Sequence, residues 1–129
     1  MAAFPRPVLR AAVLDSAAVV LFVAIGRNNH DEGGSPVAET LKVAAPFLIA
    51  LAVGWLVARA WHHPDALRTG LVIWPVTVAL GMVLRHWVFD RGTATSFIIV
   101  ATIATAALLL GWRAVALLIG RRRGARATP

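Results

Sequence analysis

Asp15 is the residue in this chain whose type and position most invite a chemical role, because it interrupts an otherwise apolar run that continues to Ile25. A carboxylate in such a run costs roughly 2.5–3.5 kcal/mol to place in lipid, so it must face water or the interior of a helix bundle. Two roles follow: a carboxylate that handles protons or cations, or a polar contact that fixes helix packing. The second is favoured, since no other apolar stretch supplies an acid. At 1.5 Å per residue Asp15 lies roughly 10 Å along its helix. Thr77, Thr102 and Thr105 fall at matching depth and form with it a candidate intramembrane polar cluster. Arg59 or Arg113 can also reach down to it from the rim. Arg85 is near the opposite rim, roughly 14 Å away along the helix direction, so it is expected to turn its guanidinium to the headgroups instead. If Asp15 only fixes packing, Asp15→Asn is expected to leave the protein at least as stable as the parent.

A second group lies at the other rim: Arg27, His30, Arg85 and His86, with Asp31, Glu32 and Asp90 nearby. Imidazoles and carboxylates together suit a divalent metal, and two histidines suit a haem. Their spacing matches no metal signature, so neither metal nor cofactor is expected. His62-His63 with Asp65 reads as an interfacial turn. Cysteine is absent, which removes disulfides, thiolate metal sites and a cysteine nucleophile. No glycine-rich phosphate loop, G-x-S-x-G elbow or H-E-x-x-H helix occurs, and nothing argues for an enzyme.

The elements that position these residues are four apolar spans of the length lipid requires, about 17–25 residues. They are expected near residues 8–25, 41–61, 69–89 and 94–119, within one domain of residues 1–120 followed by a basic tail at 121–129. The third is the shortest in its uncharged core. Between them lie the polar GRNNHDEGGSP loop, a break at His62-His63-Pro64-Asp65, where Pro64 would stop a helix, and a turn at Asp90-Arg91-Gly92-Thr93. The first span is not read as a cleaved leader: Asp15 interrupts it and no small-x-small site precedes Gly26-Arg27.

Composition agrees. The 129 residues are 59% hydrophobic and 15% charged. Soluble domains carry about 25% charged residues, and a chain this short cannot bury so much apolar surface. The formal net charge of +7 sits at span ends rather than on a polar face, which favours membrane over nucleic acid. Nine of the Lys and Arg residues fall on the side of the termini and the middle connection, against four on the other. That asymmetry places both termini in the cytoplasm, across a cell inner membrane. Trp61 and Trp112 are then expected at the inner interface and Trp87 at the outer one. The arginines at 121–123 and 126 are expected on a frayed surface tail, against anionic headgroups.

Ala50, Gly54 and Ala58 on the second span, and Thr77 with Gly81 on the third, form small-residue stripes that permit close packing or oligomerisation. Pro46 and Pro75 should kink their spans and free carbonyls. A two-hairpin repeat is only faintly suggested: Pro46–Ile49 resembles Ser96–Ile99, and Gly54-Trp55 resembles Gly111-Trp112, at unequal offsets.

Two stretches carry a family resemblance. One is D-x6-F-x3-GR-x2-H from Asp15 to His30. The other is HP-x5-G-x3-WPVTVALGMVLR from His63 to Arg85, followed by GTATSF at 92–97 and GWR at 111–113. Together they resemble a family of small prokaryotic four-helix membrane proteins of unknown function. The resemblance implies the four-helix architecture and brings no activity, substrate or catalytic residue. It implies that Asp15, Arg27, His30, Arg85 and the GTATSF stretch belong to the family pattern.

The leading expectation is therefore a non-enzymatic membrane subunit that works by packing, as a homo-oligomer or as an accessory to a larger complex. A small proton- or ion-coupled transporter or channel using Asp15 is the alternative. A redox module using His30 or His86 comes third.

Overall fold

Apolar runs of about 20 residues, separated by short polar breaks, satisfy their backbone groups in lipid by coiling into helices. The computed structural model describes residues 5–30, 36–92 and 94–127, with side chains at 27–30, 36 and 123–127 left outside the description. It contains α1 (Arg6–His30), α2 (Pro36–Ala58), α3 (Leu67–Val83) with a π-helical turn (Leu84–Val88), and α4 (Thr95–Ala127). No strand occurs among the described residues. All four helices are long and apolar enough to cross a membrane. Helix α1 packs on α2 and α4, and α3 packs on α2 and α4. The bundle is thus a closed square in which sequence neighbours are spatial neighbours.

Several boundaries differ from the sequence expectation. Helix α2 starts at Pro36, whose fixed φ and missing N–H suit a first helical position. It ends at Ala58, short of Trp61, because Arg59 takes the left-handed conformation (φ 50°). There the Arg59 N–H donates to Leu56 O and the Ala60 N–H to Trp55 O, the paired bonds of a Schellman cap. Helix α3 opens at Leu67, and the Thr69 hydroxyl bonds His63 O at 2.6 Å across the preceding turn. The π-helical turn then carries the third span to Val88. Helix α4 continues to Ala127, so its backbone is helical where fraying was expected. Arginine is a good helix former and favours the negative end of the helix dipole.

Close approach between α2 and α3 depends on the small-residue stripes, which serve internal packing. A Cβ on Gly54 would lie 3.3 Å from Ile73 O, and one on Gly81 would run into the Phe47 ring. Phe47 packs edge-on or tilted against Phe22 and Phe97 at centroid distances of 6.1 and 6.2 Å, joining α1, α2 and α4. Pro46 is buried inside α2 and Pro75 exposed on α3, and both helices run through them. The Trp74 indole donates to Thr102 O at 2.9 Å and ties α3 to α4. Trp74→Phe is expected to lower stability by about 1 kcal/mol, read as an earlier thermal transition in detergent.

Only 22–39% of each span's most apolar window is buried inside the bundle. Exposed Leu, Ile and Val cover the remainder, as lipid contact requires. The chain is a multi-pass membrane protein.

Candidate functional site

The centre of the molecule's polar chemistry is an ion pair inside the bundle. Asp15 faces inward from the third turn of α1, and Arg113 faces inward from α4; both side chains are 0% exposed. The guanidinium meets the carboxylate fork to fork, with Nη1 to Oδ1 and Nη2 to Oδ2 both at 2.8 Å. Two indoles complete the carboxylate's shell. Trp55 Nε1 of α2 donates to Oδ2 at 2.9 Å, and Trp112 Nε1 of α4 donates to Oδ1 at 2.8 Å. Each oxygen therefore accepts two bonds, close to the capacity of a carboxylate.

Arg113 is equally occupied. Its Nη1 also donates to Leu109 O at 3.0 Å, one turn earlier on α4. Its Nε donates to Pro64 O at 3.1 Å, in the connection between α2 and α3. The guanidinium carbon sits 4.4 Å from the centre of the Trp112 ring. The side chain lies in a channel that Gly70 keeps open: a Cβ there would come within 2.9 Å of Arg113 Cδ and 2.8 Å of Leu110 Cδ2. One pair thus binds α1, α2, α4 and the α2–α3 connection. In a low-dielectric interior such a bidentate, fully bonded geometry is the one that offsets desolvation of both charges.

Near the same end, Arg10 bonds Asp65 at 2.6 Å with side chains 58% and 37% exposed. Asp65→Asn should cost no more than about 1 kcal/mol, and salt should erase the difference. A melting series at low and high salt measures it.

The threonines expected beside Asp15 bond elsewhere. Thr105 donates to Ala101 O and Thr102 to Ile98 O, each one turn back on α4. Thr77 is fully buried, and its hydroxyl has no hydrogen-bond partner among the described residues. Asp15 draws its partners instead from indoles and from one of the two rim arginines, Arg113. Arg59 remains in the turn after α2. Thr77→Val removes an unsatisfied buried hydroxyl with little change of shape, so it is expected to raise stability by about 1 kcal/mol. A higher detergent melting temperature is the readout.

The outer group is also arranged differently. Arg85 does not pair with Asp15, as expected, but neither does it simply extend to headgroups. It is half-buried, donates from Nε to Gly92 O at 2.7 Å, and lays its guanidinium 4.2 Å from the Phe97 ring centre. The π-helical turn that carries Arg85 is closed by the Phe89 N–H on Leu84 O. With Arg91, Phe22, Val43 and Phe97 it lines a cavity of about 430 Å³. His86 is exposed against the Trp87 ring at 4.8 Å, and Trp87 itself is 73% exposed. The side chains of Arg27 and His30, and residues 31–35, lie outside the described residues. Among the described residues no three His, Asp or Glu side chains are grouped to hold a metal.

Sequence reasoning missed Trp55 and Trp112 as partners of Asp15. Trp112 is expected at the inner interface, with no role toward Asp15; its indole N–H donates to the carboxylate. The signal is present in the Gly-Trp and Gly-Trp-Arg stretches at 54–55 and 111–113, which the sequence offers as a faint repeat and, at 111–113, as part of the family resemblance, with no link to Asp15.

Among known families, the one described as "Protein of unknown function (DUF3054)" matches residues 12–116, a stretch that encloses both Asp15 and Arg113. No curated protein and no solved structure matches the chain.

Proposed function

Because the chain belongs to the DUF3054 family, which has no assigned activity, its role has to be read from its own site, and we propose that it is a non-enzymatic inner-membrane subunit. It acts by association, with copies of itself or as an accessory to a larger membrane complex. Both termini face the cytoplasm, and the arginine-rich end lies against anionic headgroups.

The observation that carries this reading is the saturation of Asp15. Both oxygens are already bonded to Trp55, Trp112 and Arg113. A carboxylate that loads and releases protons or cations needs a lone pair open to a path. This one serves as a clamp that makes the bundle a preassembled unit. Helix α4 supports association, since its apolar window is the least buried of the four, at 22%.

Purification from native membranes in mild detergent, with in-membrane crosslinking beforehand, tests the proposal. A discrete oligomer or a larger co-purifying assembly is the expected result. A monomer that drives gradient-dependent ion flux in liposomes would sink it. Orientation is checked separately by reporter fusions at residue 129 and within residues 28–36. A cytoplasmic reporter at 129 and a periplasmic one in the first loop are expected from the arginine asymmetry.

A further inference from the structure

The connection between α2 and α3 gathers four basic side chains that the clamp does not use. Arg59, His62 and His63 lie in the turn, and Arg68 lies in the first turn of α3. With Ala58, Thr69 and Val72 they line a depression of about 360 Å³ on the end of the bundle nearest the clamp. None of the four forms an ion pair among the described residues. The turn's carboxylate, Asp65, is held by Arg10 at 2.6 Å and does not line the depression.

Arg59 caps α2 at the edge of the depression. Its φ of 50° is the conformation that ends α2, and glycine is the residue that adopts it at least cost. The backbone asks for a left-handed residue at this position but has no use for a guanidinium. Arginine at this cap places a guanidinium on the wall of the depression. Arg59 and Arg68 together offer two planar forks suited to phosphate oxygens. The surroundings point to a lipid phosphate: the depression lies where two apolar spans end, beside exposed Trp61, Leu71 and Val72. Basic pockets between transmembrane helices are suited to anionic headgroups.

We propose that the Arg59–His62–His63–Arg68 depression binds the phosphate-bearing headgroup of an anionic phospholipid. The inference rests on the chain's place in a membrane and not on its oligomeric state.

The test uses the full chain in mild detergent, titrated with dioleoyl phosphatidylglycerol or dioleoyl phosphatidylcholine and read by native mass spectrometry. The pocket variant is Arg59→Asn with Arg68→Gln; asparagine tolerates the left-handed backbone. The control is Arg6→Gln with Lys42→Gln, which removes the same charge from exposed positions on α1 and α2 outside the pocket. Wild type is expected to retain phosphatidylglycerol over phosphatidylcholine. The pocket variant should weaken that retention by about tenfold, the effect of losing a charge-assisted hydrogen bond, and the control should leave it unchanged. Should the double variant melt early, Arg68→Gln alone carries the comparison. Equal loss in pocket and control variants would show only a diffuse charge effect and overturn the proposal, as would equal retention of the two lipids by wild type. Displacement of phosphatidylglycerol by inorganic phosphate would assign the depression to free phosphate and defeat the lipid reading. An oligomer that persists in the pocket variant keeps this outcome separate from the association proposal.

Discussion

Asp15→Asn is expected to destabilise the bundle by about 3–5 kcal/mol, the usual cost of removing one partner from a buried ion pair. Sequence reasoning, without a known partner, expects the same substitution to be harmless. The difference is Arg113. With an amide in place of the carboxylate, a fully buried guanidinium loses its counter-charge in a site it shares with Leu109 O and Pro64 O. The indoles of Trp55 and Trp112 would each meet a group that can accept on only one side. Arg113→Leu should do comparable harm by leaving the carboxylate with the indoles alone.

The double variant Asp15→Leu with Arg113→Leu decides whether the charges act as a unit. Neither charge remains to be desolvated, so it should be more stable than Asp15→Leu alone, although two indole N–H groups lose their acceptor. Thermal unfolding in one detergent, followed by helical circular dichroism, supplies all four corners of the cycle. If the single variants melt with the parent, the clamp does not hold the fold together. If the double variant is folded and assembled, the ion pair is not required for assembly.

Gly81→Val is expected to be the other severe substitution. The Cβ of any larger residue at 81 runs into the Phe47 ring, and Phe47 is itself wedged between Phe22 and Phe97. Overpacking of this kind typically costs about 1–3 kcal/mol. Phe47→Leu alone should also destabilise, by leaving a void in the aromatic cluster. Combined with Gly81→Val it should recover part of each loss, because the smaller side chain vacates space that valine fills. Melting temperatures of the single and paired variants measure this. Additive losses would mean that the two residues do not share that space.

Much of the architecture was legible because lipid imposes a one-dimensional rule. A run of about 20 apolar residues must be helical, and its limits can be read from charges. Limits set by local backbone chemistry were less visible. Arginine at the left-handed cap of α2 carries no glycine signal, so the helix was expected to reach Trp61. Helix α4 continues beyond residue 119 through arginines whose charge suggests a loose tail.

By itself the sequence determined that the chain has four spans, that Asp15 must face inward and that Arg85 is too far along the bundle to reach it. Those conclusions follow from transfer cost and helical rise, which depend on residue type and position alone. Only the tertiary structure decided which inward-facing groups meet. Arg113 lies 98 positions from Asp15, and Trp112 lies 97. Whether they converge depends on the rotation and crossing of α1 against α4, across which Phe22, Phe47 and Phe97 pack. Depth along a helix is written in residue number, but azimuth relative to a distant helix is fixed by side chains packing together. For that reason the threonines had the right depth and the wrong partners, and an interfacial tryptophan became part of the clamp.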